Sequence, residues 1–152
     1  MTSQLERYLP DAAALEAWAM SLANQATHPL VVYLQGEMGT GKSAFTRAFL
    51  RALGVTGTIR SPTFTLLERY DTARGWVFHL DLYRIGAPDE IEYLGVRDLL
   101  TAPAWWFIEW PERGSGFLPV PDLQLELSYA DSGRHARLRA HTDTAAQWLQ
   151  SL

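Results

Sequence analysis

The sequence contains no cysteine. That removes disulfides, thiolate metal sites and cysteine nucleophiles from its chemistry at once. Lysine is nearly absent too: of 13 basic residues, Lys42 is the single lysine and the other twelve are arginine. No apolar run approaches the roughly 18 residues that a membrane-spanning helix needs. The first ten residues hold Glu6 and Arg7 and no apolar h-region, so no secretory signal is visible. A formal charge of −4 offers little basic surface for stand-alone nucleic-acid binding, which rests on many phosphate contacts. What is present is ordinary: 152 residues, 47% of them hydrophobic. The expectation is one cytoplasmic domain spanning residues 1–152, with no membrane contact.

The hydrophobic pattern alternates between strands and helices. Asp11 is placed to cap a helix whose Leu15, Trp18, Ala19 and Leu22 recur at i, i+3, i+4 and i+7, with His28-Pro29 ending it. Leu30-Val31-Val32-Tyr33-Leu34 is a short continuous apolar run, the pattern of a strand buried on both faces. A glycine-rich turn over residues 36–41 leads to a helix with Phe45, Phe49 and Leu53 at four-residue spacing, stopped by Gly54. Residues 63–70 read as a second strand. Gly75 opens a third, in which Trp76, Phe78, Leu80 and Leu82 alternate with Val77, His79 and Asp81. Pro88-Asp89-Glu90 starts a helix that Gly95 breaks early. Trp105-Trp106-Phe107-Ile108 is another buried run, ending in Glu109-Trp110-Pro111 ahead of a loop rich in glycine and proline. Two alternating stretches, 123–129 and 134–141, flank Asp131-Ser132-Gly133 as a β-hairpin, and Asp143 is placed to cap a last helix. Together these elements predict a three-layer α/β fold with a mixed, mostly parallel central sheet and a C-terminal β-hairpin.

Gly36-Glu37-Met38-Gly39-Thr40-Gly41-Lys42-Ser43 fits the phosphate-loop pattern G-x-x-x-x-G-K-[ST] in full. Each part has a task. The glycines let backbone N–H groups curl around a phosphate, and the helix that starts there adds its free N–H groups and positive dipole end. Lys42 reaches the β- and γ-phosphates and the Ser43 hydroxyl binds Mg²⁺. The motif follows a buried strand and opens an amphipathic helix, as that mechanism requires. The chain is therefore read as a P-loop NTPase that binds a nucleoside triphosphate.

Such a site needs an acid at the end of another core strand to hold the water shell of Mg²⁺. Asp81 and Glu109 both qualify, and periodicity does not choose between them. Both are expected near the metal, one holding the ion and the other polarising water. Ser61-Pro62-Thr63-Phe64-Thr65 supplies a third element, in which Ser61 or Thr63 is placed to sense the γ-phosphate.

Five stretches occur in an order and spacing that resembles the TsaE (YjeE) ATPases. They are the phosphate loop, Ser61-Pro62-Thr63-Phe64-Thr65-Leu66, His79-Leu80-Asp81-Leu82-Tyr83-Arg84, Leu94-Gly95-Val96-Arg97-Asp98 and Glu109-Trp110-Pro111. The resemblance covers nearly the whole chain. It implies an ATPase, with ATP and Mg²⁺ as cofactors, required for the threonylcarbamoyl modification of adenosine 37 in tRNAs that read codons beginning with A. It also implies docking on a TsaD–TsaB complex, with tRNA touched indirectly or weakly. Carried over residue by residue, Gly36, Gly39, Thr40, Gly41, Lys42 and Ser43 bind phosphates, and Ser43 and Glu109 bind Mg²⁺. Asp81 is the strand-end carboxylate and Thr63 lies in a switch-like segment. Ala12 and Arg134 belong to the adenine site. Thr40 stands where the family usually has Ala and Ser43 where it has Thr; either hydroxyl at position 43 can ligate the metal.

Other features have plainer readings. His135, Arg137, Arg139 and His141 share a strand face that reads first as solvated and paired with Glu126 across the hairpin, the alternative being a basic strip for RNA or an acidic partner. Trp18 and Trp106 read as core, whereas Trp110 is placed to wall a nucleotide or a partner. Two rival functions stay open on the residues alone. A small-molecule kinase fits the length and the loop, although Arg84, Arg97 and Arg113 are scattered rather than gathered in a lid. A nucleotide-controlled binding module would use hydrolysis only to time release.

Overall fold

The computed structural model describes residues 3–152. Seven strands form one sheet in the order β1-β7-β6-β2-β5-β4-β3. They are β1 (Gln4–Leu9), β2 (Val31–Gln35), β3 (Leu67–Thr72), β4 (Gly75–Asp81), β5 (Ala104–Glu109), β6 (Leu123–Ala130) and β7 (Gly133–Ala140). The pairs β6–β2, β2–β5 and β5–β4 are parallel. Pairs β1–β7, β7–β6 and β4–β3 are antiparallel. Hence β1, β6, β2, β5 and β4 all point one way, and only β7 and β3 run against them.

Three α-helices cover one face: α1 (Ala12–Gln25), α2 (Lys42–Ala52) and, at the C-terminal end, residues Asp143–Ser151. Their apolar sides meet Val32, Leu34, Val77, Trp105 and Phe107 in the larger core. Phe49 of α2 sets its ring 5.3 Å from Trp105 and 5.0 Å from Phe107. Burying side chains of this size contributes roughly 1.5–3 kcal/mol each, so α2 is seated firmly on the sheet. The opposite face is covered by short pieces, a 3₁₀ turn over Pro88–Leu94, the single-turn α3 (Val96–Leu99) and a 3₁₀ turn over Pro111–Gly114. These cover Phe78, Leu80, Trp106 and Ile108. The helix Asp143–Ser151 is α4.

Most expected elements form where the pattern placed them. Asp11 caps α1, its carboxylate accepting from the Ala14 N–H at 2.8 Å. The helix ends at Gln25, where Arg74 closes it by donating to the Ala23 and Ala26 carbonyls at 2.9 and 2.6 Å. Residues 63–66 are not strand. They form a turn closed by the Leu66 N–H on the Pro62 carbonyl at 2.8 Å, with Leu66 at φ +66°, and β3 begins only at Leu67. The helix expected after Pro88 is 3₁₀, ended by left-handed Gly95 at φ +76°. The cap of α4 is Thr142, whose extended backbone lets its hydroxyl accept from the Ala145 N–H; Asp143 is the helix's first residue. Strand β1 was not foreseen, because Gln4-Leu5-Glu6-Arg7-Tyr8-Leu9 is largely solvent-facing at a sheet edge.

Candidate phosphate-binding site

Strand β2 delivers the chain to residues 36–41 at its C-terminal end, and α2 carries it away. Two loop positions demand glycine. At Gly36, φ +149°, a Cβ would lie 2.4 Å from the Leu127 carbonyl oxygen. At Gly41, φ +112°, it would lie 2.5 Å from the Leu15 side chain. Among the described residues, the N–H groups of Gly39, Gly41, Lys42 and Ser43 have no protein acceptor. A helix N-terminus with free donors attracts anions.

Lys42, only 5% exposed, is the cation of this site. Its Nζ donates to the Gly36 carbonyl at 2.5 Å and sits 3.9 Å from the centroid of the Trp110 ring. Burial holds its pKa below the ordinary lysine value, while Glu109, Asp81 and Glu112 act in the other direction. Trp110 itself has a left-handed backbone, φ +57°, which is costly outside glycine and turns the chain sharply after Glu109.

The parallel register places Asp81 beside Glu109 at the C-terminal ends of β4 and β5. Both are buried, at 8% and 3% exposure. The Ser43 hydroxyl donates to Glu109 Oε2 at 3.4 Å, and the same oxygen lies 2.8 Å from His79 Nε2. His79 interrupts an apolar strand because it holds a carboxylate 30 residues away; its Nδ1 is buried without a protein partner among the described residues. Asp81 accepts from the Tyr83 N–H at 3.0 Å. Burial, first, and the neighbouring Glu109 charge raise its pKa above the usual carboxylate value, against that hydrogen bond and the nearby Lys42 ammonium.

A cleft of about 260 Å³ gathers Gly39, Gly41, Lys42, Ser43, Thr63, Asp81, Tyr83, Glu109 and Trp110. Thr63 reaches it from the 62–66 turn, with its hydroxyl 2.8 Å from that of Ser61. Gly36 and Thr40 shape the loop from behind: the Thr40 hydroxyl is fully buried and donates to the Glu37 carbonyl at 2.7 Å. Ala12, exposed at the start of α1, and Arg134 both lie outside this lining, and of the two it is Arg134 that touches the loop. Arg134 donates to the Thr40 and Gly39 carbonyls at 3.1 and 3.2 Å. Among other arginines, Arg97 is tied to Glu92 at 2.6 Å and Arg113 to the Tyr83 carbonyl at 2.6 Å. Of the row on β7, Arg137 and Arg139 each lie 3.7 Å from Glu126 as expected, whereas His141 meets Gln124 at 2.9 Å. Glu6 of the unforeseen β1 adds contacts to Arg137 at 3.1 Å and His135 at 3.6 Å.

A glycine loop between a central parallel strand and a helix N-terminus, with a buried lysine facing two strand-end carboxylates, defines an α/β protein of the P-loop nucleotide-binding class. Similarity to known proteins narrows the class. The family model described as threonylcarbamoyl adenosine biosynthesis protein TsaE matches residues 9–138, and the chain belongs to that family. The tRNA threonylcarbamoyladenosine biosynthesis protein TsaE of Haemophilus influenzae is 35% identical over 144 residues, 91% of each chain. Its namesake from Synechocystis is 36% identical over 115 residues, 73% of each. The crystal structure of Bacillus subtilis YdiB superposes with a TM-score of 0.81 at 25% identity, covering 99% of this chain and 95% of that one.

Proposed function

We propose that this chain is a Mg²⁺-dependent ATPase whose turnover serves threonylcarbamoyl modification of adenosine 37 in tRNAs reading codons that begin with A. One observation carries the reading: Lys42, Ser43, Asp81, Glu109 and Thr63 line a single cleft at the mouth of the glycine loop. The free N–H groups of residues 39 and 41–43 cradle the β-phosphate. Lys42 exchanges the Gly36 carbonyl and the Trp110 face for phosphate oxygens. Hard oxygen donors suit Mg²⁺, and the Ser43 hydroxyl and Glu109 carboxylate, already 3.4 Å apart, are the pair that holds it. When bound, the ion neutralises charge on the β- and γ-phosphates. Asp81, whose burial makes it a stronger base than an ordinary carboxylate, orients the attacking water, and Thr63 senses the γ-phosphate. Ala12 and Arg134 flank the adenine end.

Charge compensation in the free protein rests on Lys42, the basic residue lining the cleft, because Arg113 and Arg134 are bonded to backbone carbonyls and Arg84 stacks on the exposed Phe64 ring outside that lining. Turnover is therefore slow alone and rises on a TsaD–TsaB complex, tRNA being contacted indirectly. Names of relatives such as the Haemophilus influenzae protein support the pathway. The test is reconstituted tRNA modification with Asp81→Asn, which removes the water-orienting carboxylate and keeps the metal pair, its retained ATP binding checked by calorimetry. The reading predicts that modification stops after at most one round per complex. Modification sustained over many rounds would instead make the chain a nucleotide-controlled binding module.

A further inference from the structure

The carbonyl oxygens of the phosphate loop reveal what holds it open. Gly36 accepts from Lys42 Nζ, and Glu37 accepts from the Thr40 N–H at 3.3 Å and the Thr40 hydroxyl at 2.7 Å. Met38 accepts from the Tyr129 hydroxyl at 2.9 Å. Gly39 and Thr40 accept from Arg134 Nη2 and Nε at 3.2 and 3.1 Å. Gly41 accepts from the Phe45 N–H at 2.8 Å. Every carbonyl from Gly36 to Gly41 is engaged, and three of the six, those of Met38, Gly39 and Thr40, are held from one place, the turn end of the β6–β7 hairpin.

Tyr129 and Arg134 are direct cross-strand partners there, and the guanidinium carbon lies 4.4 Å from the centroid of the tyrosine ring. In a planar trans peptide, the carbonyl of one residue points opposite to the N–H of the next. Tying the Met38 and Thr40 carbonyls to the hairpin thus turns the N–H groups of Gly39 and Gly41 away from it, and both residues line the cleft. Without these tethers, the carbonyls could rotate inward and present negative ends to the phosphates.

We propose that Tyr129 and Arg134 are positioning residues that pre-shape the phosphate loop, so that the hairpin acts as a fixed clamp on the phosphate subsite. This rests on the nucleotide-binding reading above, but it assigns Arg134 a role that needs no base. Tripolyphosphate, which carries the phosphate chain and lacks adenosine, separates the two roles.

The experiment is calorimetric titration of the full chain with tripolyphosphate and with ATP, each with Mg²⁺, for wild type, Tyr129→Phe, Arg134→Lys and Lys42→Ala. Melting curves of each variant accompany the titrations. Tyr129→Phe removes one hydroxyl and should weaken both ligands by a similar factor, about three- to tenfold. Arg134→Lys keeps the charge but loses the fork that spans two carbonyls, and should weaken both by about tenfold or more. If Arg134→Lys weakens ATP and spares tripolyphosphate, Arg134 acts on the base and the proposal fails. Lower melting temperatures with unchanged tripolyphosphate affinity would assign a purely structural role and also overturn it. Loss of binding in Lys42→Ala, with both hairpin variants unaffected, would sink the clamp and leave the nucleotide site standing. Unchanged binding in Lys42→Ala would remove the nucleotide site itself.

Discussion

Lys42→Ala removes the ammonium that faces the two strand-end carboxylates, and its effect can be estimated from the surroundings of Nζ. A phosphate charge about 4 Å away, at an effective dielectric near 20, attracts the ammonium by about 4 kcal/mol. To reach it, the ammonium gives up the Trp110 face, 3.9 Å away, and the Gly36 carbonyl. Those contacts offset about 1–2 kcal/mol of the gain. The ammonium is already out of water, so binding adds little further desolvation. The net loss on substitution is about 2–3 kcal/mol, or about a hundredfold in affinity for ATP. Folding should be nearly untouched, since the variant sheds an unfavourable buried charge together with its two contacts. Titration calorimetry with Mg²⁺ and ATP, beside a thermal melt, measures both effects. An affinity within threefold of wild type would refute the assignment, as would a collapse of the melting temperature that by itself explains the lost binding.

Further substitutions probe the neighbouring groups. Glu109→Gln should leave Mg²⁺-free ATP binding in place and abolish the increment that Mg²⁺ adds, read from a magnesium titration; an unchanged increment would move the metal to Asp81. Asp81 has a raised pKa in the fold, so its contribution to stability is full below the unfolded value of 3.8 and is lost as pH rises through the raised value. Asp81→Asn, which keeps an acceptor for the Tyr83 N–H, escapes that loss. The variant should therefore melt higher than wild type at pH 7, with the gap closing towards pH 4; a gap independent of pH would contradict the cause given. Thr142→Ala should cost about 1 kcal/mol in urea denaturation, as loss of a helix cap does. Asp143→Ala should cost clearly less, and equal costs would reject Thr142 as the cap.

The phosphate loop and its two acids were legible in the sequence because their chemistry restricts residue type and spacing together. Buried strands were legible for a similar reason: Trp105-Trp106-Phe107-Ile108 has nowhere to lie except between two layers. Strand β1 carries no such mark, since its charged residues face water and its pairing with β7 spans most of the chain. Residues 63–66 carry β-branched and aromatic residues, yet Pro62 and the left-handed Leu66 bend them into a turn. His79 looked like a flaw in an apolar run until the register of β4 on β5 brought it to Glu109. Likewise, the grip of Tyr129 and Arg134 on the loop depends on the hairpin register, which places them opposite each other and against residues more than 90 positions earlier.

The central claim is that this cleft hydrolyses ATP and that a partner complex accelerates it. The most direct test is the rate of phosphate release from ATP with Mg²⁺, for the purified chain alone and with a TsaD–TsaB complex plus tRNA. A slow rate alone that rises on adding the complex is predicted. A rate of many turnovers per second for the chain alone, or one indifferent to the complex but raised by a small phosphate acceptor, would contradict the claim; the latter would mark the chain as a kinase.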